Sequence, residues 1–207
     1  LQQVQRDHNF VPQVHAVRLL SVCVDCKEIP SSSVRRSSDP EAILSRDALR
    51  VAITNEQQGL QFYRRALEVT VDTATQKVFA YLADEEEQHL ATLQQEYDEL
   101  RLEHPWLEKE PALLYVDHER LAGIFPMQHF EATAMAQPVH PVEALYLAML
   151  AEQRSYELFT DYASNVEHPT GRDIFLKFAQ EEQRHLALIR QTYDTLQERD
   201  TSQDFSC

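Results

Sequence analysis

The chain has 207 residues, enough for one domain with an irregular arm and too few for two full domains. Only 3 residues are glycine, which argues against a fold built on many tight turns and against a glycine-rich phosphate loop. A formal net charge of −15, from 34 acidic and 19 basic residues, makes nucleic acid and anionic membrane surfaces poor partners.

Residues 1 to about 40 show no clean hydrophobic period and end in the polar, basic run from Pro30 to Ser38, so 1–40 is expected to be an irregular arm or linker. Its most apolar stretch, Val11 to Val24, is broken by Pro12, Gln13, His15 and Arg18 and is shorter than the roughly 20 residues of a membrane span. Three cysteines do not make a disulfide framework and no signal-peptide pattern is read, so a reducing, cytoplasmic setting is expected. Cys23 and Cys26 form one Cys-x-x-Cys pair, read as incidental thiols or else as a half-site completed across a dimer or the remnant of a redox module, and Cys207 stands alone.

The main domain is expected over 41–200. Asp39-Pro40-Glu41 supplies a cap, a first-turn proline and an early acid, which predicts a first helix over about 41–70. Asp72 and Thr73 restart the pattern as a second helix over about 73–103, stopped by His104-Pro105. The next stretch of roughly 35 residues holds five prolines and is too long for a hairpin link; a short helix near Met127–Ala136 is expected in it. A third helix follows over about 141–166, a turn at 168–171, and a fourth helix over about 171–198.

The sequence repeats itself. Shifted by 96 residues, the first two helices fall on the last two without a gap, with 11 identities in the 22 positions from 79 to 100. Most of the shared residues are polar ones that helix propensity does not dictate, including Glu85, Glu86 and His89 against Glu181, Glu182 and His185. Two copies of a helical hairpin joined by one long crossover make an all-α four-helix bundle.

Seams spaced alternately three and four residues apart run along each helix. They read Leu49, Ala52, Glu56, Gly59, Tyr63, Ala66; then Phe79, Leu82, Glu86, His89, Leu93; then Leu145, Ala148, Glu152, Ser155, Phe159; then Phe175, Phe178, Glu182, His185, Ile189. Every seam is apolar, small or aromatic except at one level, where each carries a glutamate. The second and fourth add a histidine one turn on, on the same helical face. No Lys or Arg stands in these seams, and burying four unpaired carboxylates would cost several kcal/mol each. Two divalent cations would cancel four negative charges, with two neutral imidazoles completing the shells; this donor mixture suits Fe, Mn or Zn. A single Glu-x-x-His is common on a solvated face, but here it occurs twice, each time 30 residues after a seam glutamate. Glu85 and Glu181 lie beside the seam and are read as flanking residues.

The stretches 52–63 and 83–89, around Glu56, Glu86 and His89, resemble the first two helices of rubrerythrin and its ferritin-like relatives. The stretches 152–159 and 179–185, around Glu152, Glu182 and His185, resemble the second pair. This resemblance implies a ferritin-like bundle with a non-haem di-iron centre. Glu56 and Glu152 would be terminal ligands, Glu86 and Glu182 would bridge, and His89 and His185 would each cap one iron. It further implies an oxidoreductase that reduces hydrogen peroxide or dioxygen with electrons from an external donor protein, as a monomer or homodimer. Two departures stand out. Rubrerythrins carry an extra glutamate on the third helix where this chain has Ser155, and their rubredoxin module needs two Cys-x-x-Cys knuckles where this chain has one. Iron oxidation and storage is the alternative, and a large shell assembly would be its signature. Gly59 and Ser155 are read either as space for a small molecule beside the metals or as close helix packing. Tyr63, two turns past Glu56, is the candidate to bond a ligand carboxylate or supply a proton.

Overall fold

The structure is a computed structural model that describes residues 39–133 and 138–204. The arm over 1–38, with Cys23 and Cys26, and the terminal Cys207 lie outside the described residues. Asp39 caps the first helix, α1 (Pro40–Val69), its Oδ1 accepting the Glu41 N–H at 3.0 Å, with Pro40 in the first turn where no N–H is missed. Asp72 caps α2 (Thr73–Glu103), its Oδ2 accepting the Thr75 N–H at 2.8 Å. After the crossover come α5 (Pro141–Asn165) and α6 (Pro169–Asp204), both opened by proline. Three of the four residues of the expected turn at 168–171 are therefore helix: Pro169, Thr170 and Gly171 form the first turn of α6.

The crossover contains more structure than its prolines suggest. A 3-10 turn at Leu107–Lys109 is followed by α3 (His118–Ala122) and α4 (Met127–Thr133), the last of these overlapping the expected short helix. α1 packs along α2 and against α6, and α5 packs along α6. Phe125 and Phe130 of the crossover are buried against Phe62 of α1, with ring centroids 5.6 and 4.9 Å apart. The crossover's far end is tied down where the Val139 N–H donates to the Val69 carbonyl at 3.0 Å. No helix among the described residues is long and apolar enough to cross a membrane.

The seams read from the sequence are the core. Every seam residue is buried except His89, which is half-buried. One buried charge pair lies outside them. Arg46 and Asp47 of α1 are almost fully enclosed and joined at 2.6 Å. The Arg46 guanidinium also donates to the carbonyls of Leu107 at 2.5 Å and Glu110 at 2.9 Å. Asp47 Oδ2 accepts the N–H groups of Leu113 at 2.7 Å and Leu114 at 3.1 Å. Adjacent opposite charges look like a solvated face in sequence; here they hold the start of the crossover against α1.

Removing one partner of such a pair leaves the other charge buried without its counterion. Arg46→Met should destabilise the fold by about 3 kcal/mol or more in urea unfolding, whereas Arg50→Met, at an exposed ion pair, should cost under about 1 kcal/mol.

Candidate metal centre

Heptad-like spacing puts Glu56, Glu86, Glu152 and Glu182 at one level of the bundle, and the structure brings all four together with His89 and His185. The four carboxylates are at most 2% exposed, and His185 is 3% exposed. Their donor atoms fall into two groups. Glu86, Glu152, Glu182 and His185 offer one ligand atom each, all within 4.8 Å of one another; Glu56, Glu86 and His89 form a second such group. Glu86 is common to both.

The first group is arranged around His185. Its Nδ1 lies 3.5 Å from Glu86 Oε1, 3.7 Å from Glu152 Oε2 and 3.7 Å from Glu182 Oε2. Donors bonded at about 2.1 Å around a tetrahedral ion stand about 3.4 Å apart, so this spacing matches a metal-binding cluster. In the second group His89 Nδ1 is 3.1 Å from Glu56 Oε2. The two imidazole rings stack, 5.6 Å between centroids.

Several of these atoms are buried with no hydrogen-bond partner among the described residues: Glu56 Oε1, Glu152 Oε2, Glu182 Oε2 and both ring nitrogens of His185. Orphaned carboxylate oxygens and imidazole nitrogens in one dry cluster fit a cation and fit little else. The metal-free electrostatics agree. Burial, and then the Glu56 charge, raises the Glu86 carboxyl well above its usual range. Burial and the Glu152 charge push Glu182 up to about 8. Burial alone would lower the His185 pKa, but the surrounding carboxylates, Glu152 foremost, push it up to about 11. Burial alone would raise Glu152, but the neighbouring Glu182 and His185 and the hydrogen bond from Tyr63 bring it below its usual value.

Tyr63 is fully buried, and its hydroxyl donates to Glu152 Oε1, bonding the first hairpin to a carboxylate of the second. Burial and the neighbouring carboxylates raise its pKa well above that of an ordinary tyrosine, so the hydroxyl stays protonated. Gly59 and Ser155 turn out to be filled positions. A Cβ on Gly59 would lie 3.1 Å from the Glu86 carboxyl and 3.1 Å from the Phe125 ring, so glycine is what lets both approach α1. Ser155 is fully enclosed and donates to Glu182 Oε1 at 2.5 Å.

Open space lies elsewhere. A cavity of about 380 Å3 between α2 and α6 is lined by His185, Glu85, Glu181, Tyr81 and Leu188, among others. It reaches the centre on the histidine side. Glu85 also lies within ligand distance of His89 and His185, and Glu181 Oε2 is 3.9 Å from His89 Nε2, so both flanking acids stand at this opening. A larger cavity of about 610 Å3 by Tyr115 and Tyr162 touches none of the six residues. His104, His118, His129, His140 and His168, read as surface residues, are half-buried or exposed and belong to neither donor group.

Asn55 was not expected. It is buried beside Glu56, and its Nδ2 lies 2.6 Å from Ser155 Oγ and 3.2 Å from Glu182 Oε1. The repeat carried a signal: the counterpart of Asn55 is Ala151, so one copy has gained a polar group at the level of the glutamates.

A four-helix bundle holding paired carboxylate and histidine donors on facing helices has the architecture of a ferritin-like dimetal protein. The sequence model of the rubrerythrin family matches residues 47–193, and the chain belongs to that family. No curated protein and no solved structure gave a match.

In the metal-free protein, a carboxyl whose pKa is raised contributes stability below its unfolded value that is lost as pH rises through the folded value. For Glu182 that loss runs from about 4.5 to about 8, and for His185 from 6.5 towards about 11. Glu152 has the opposite sign but completes its change below about pH 5. Chelation should therefore lower the melting temperature more at pH 8 than at about pH 5.5. Equal melting of metal-free and metal-loaded protein at pH 8 would contradict a buried ion site.

Proposed function

We propose that this protein is a non-haem di-iron oxidoreductase that reduces hydrogen peroxide or dioxygen with electrons from a separate donor protein. The observation that carries the reading is the cluster of four buried glutamates, a buried His185 and a half-buried His89, with orphaned atoms on Glu56, Glu152, Glu182 and His185, at the centre of a rubrerythrin-family bundle. Glu56 and His89 would hold one iron, Glu152, Glu182 and His185 the other, and Glu86 both. When bound, the two irons would supply two electrons from adjacent positions, the number that cleaves one O–O bond; manganese or zinc fits the same donors but zinc has no such redox chemistry.

The chain's own residues carry the rest. Reducing one hydrogen peroxide to two waters takes two electrons and two protons. Tyr63 holds a proton at its hydroxyl, against Glu152, where a developing negative charge on the substrate would need it. Phe79, Phe159, Phe175 and Phe178 wall the neighbouring levels of the core and exclude bulk water. The opening between α2 and α6 is wide enough for hydrogen peroxide or dioxygen. A site of this kind sits in the interior of a folded bundle, where a large donor cannot enter, so electrons arrive through a partner docked outside. Cytoplasmic operation fits this chemistry, because a reducing compartment supplies such donors.

Stopped-flow absorbance of the anaerobically reduced protein separates the readings. Faster oxidation by hydrogen peroxide than by air-saturated buffer supports the peroxidase, which should run one turnover alone and cycle only with added reductant. Tyr63→Phe should slow that oxidation by about 10-fold or more while leaving metal content unchanged. Faster oxidation by dioxygen, with many equivalents of added Fe2+ retained as a ferric product, would replace it with iron storage.

A further inference from the structure

The two halves of the centre are related by the 96-residue repeat but are not chemically alike, and the difference is concentrated at three positions. Tyr63, Asn55 and Ser155 each bear a hydrogen-bonding group; their repeat counterparts, Phe159, Ala151 and Gly59, bear none in the side chain. All three act on the second hairpin's carboxylates. Tyr63 bonds Glu152 Oε1. Ser155 Oγ donates to Glu182 Oε1 at 2.5 Å, and Asn55 Nδ2 reaches the same oxygen at 3.2 Å. Asn55 Nδ2 also bonds Ser155 Oγ at 2.6 Å, which fixes the serine hydroxyl in the orientation that donates to the carboxylate.

A carboxylate oxygen has two lone pairs, and on Glu182 Oε1 both are engaged. Its other oxygen, Oε2, has no hydrogen-bond partner among the described residues and faces His185. A carboxylate that bridges two ions gives one oxygen to each. Glu182 has only one to give. Glu86 belongs to both donor groups, and Gly59, carrying no Cβ, lets its carboxyl sit close against α1.

Building on the di-iron reading, we infer that Asn55 and Ser155 are positioning residues that hold Glu182 as a terminal ligand of one ion, leaving Glu86 as the sole bridging glutamate and making the two metal positions unequal. The position formed by Glu86, Glu152, Glu182 and His185 has four donors, two of them anchored by neighbours, and fills first. The position formed by Glu56, Glu86 and His89 has three, and its histidine is 18% exposed against 4% for His185. It fills second and more weakly. The symmetric pair of bridges that the family resemblance implies is thereby reduced to one.

The test is a titration of the metal-free full-length chain with Co2+ alone, read by its visible absorbance. The native chain should take up two ions in resolved steps, with affinities at least about tenfold apart, the range over which the loss of a ligand's hydrogen-bond partner acts. His89→Ala should remove the weaker step and keep the stronger. Ser155→Ala and Asn55→Ser should each still bind two ions but bring the steps to within about threefold. Freed Glu182 then offers Oε1 to the second ion and loses its anchor for the first. Ser155→Gly, which copies the first repeat, is the alternative if either variant fails to fold. Two equal steps in the native chain would overturn the inference, as would an unchanged gap in folded variants. No uptake of Co2+ at all would instead remove the metal-centre reading on which it rests.

Discussion

Four carboxylates buried at one level of a helical bundle impose the constraint on which this structure depends. Among the described residues no lysine or arginine stands with them, and the cationic groups the core supplies there are imidazoles. In the metal-free chain burial and mutual repulsion raise the proton affinity of Glu86 and Glu182, the surrounding carboxylates raise that of His185, and Glu152 is held ionised beside them. Two divalent ions would relieve that repulsion and give the orphaned carboxylate oxygens and one His185 nitrogen a partner. The rest of the fold reads as support for that arrangement. The long helices keep the four glutamates at one height, the phenylalanines above and below keep water out, and the crossover closes over α1 through Phe125 and the buried Arg46–Asp47 pair.

The second hairpin is the better braced half. Tyr63 reaches it from α1 to hold Glu152, and Asn55 and Ser155 hold Glu182. The first hairpin's half lacks these bonds: Gly59 stands where the second copy has Ser155, and His89 is half-buried where His185 is buried. On the proposed reading, a well-anchored position next to one with fewer donors would give the centre one ion to retain and one to exchange. Ser155, which stands where rubrerythrins carry an extra carboxylate, is thus a partner to a ligand here.

Much of this was legible in the sequence because the repeat and the heptad-like seam reinforce each other. The six clustered positions follow from a polar residue recurring at a core position in both copies, and the capping residues at Asp39 and Asp72 place α1 and α2 to within a residue. What the sequence hid is contact between distant segments. Asn55 lies one residue off the seam, and only the fold shows that it reaches a glutamate 127 positions away. Arg46 and Asp47 resemble a solvated pair until the crossover returns to cover them. Gly59 and Ser155 could be read from residue size as space beside the metals or as close packing; both places are occupied, and the opening lies between α2 and α6.

Elemental analysis of the anaerobically purified and reconstituted protein tests the central claim most directly. The account predicts two iron-class ions per chain in the native protein. It also predicts loss from both positions in Glu86→Ala, because that one carboxylate belongs to both donor groups, with Glu85→Ala nearly unchanged. Full occupancy in a folded Glu86→Ala protein, or a native chain that retains no metal, would contradict it.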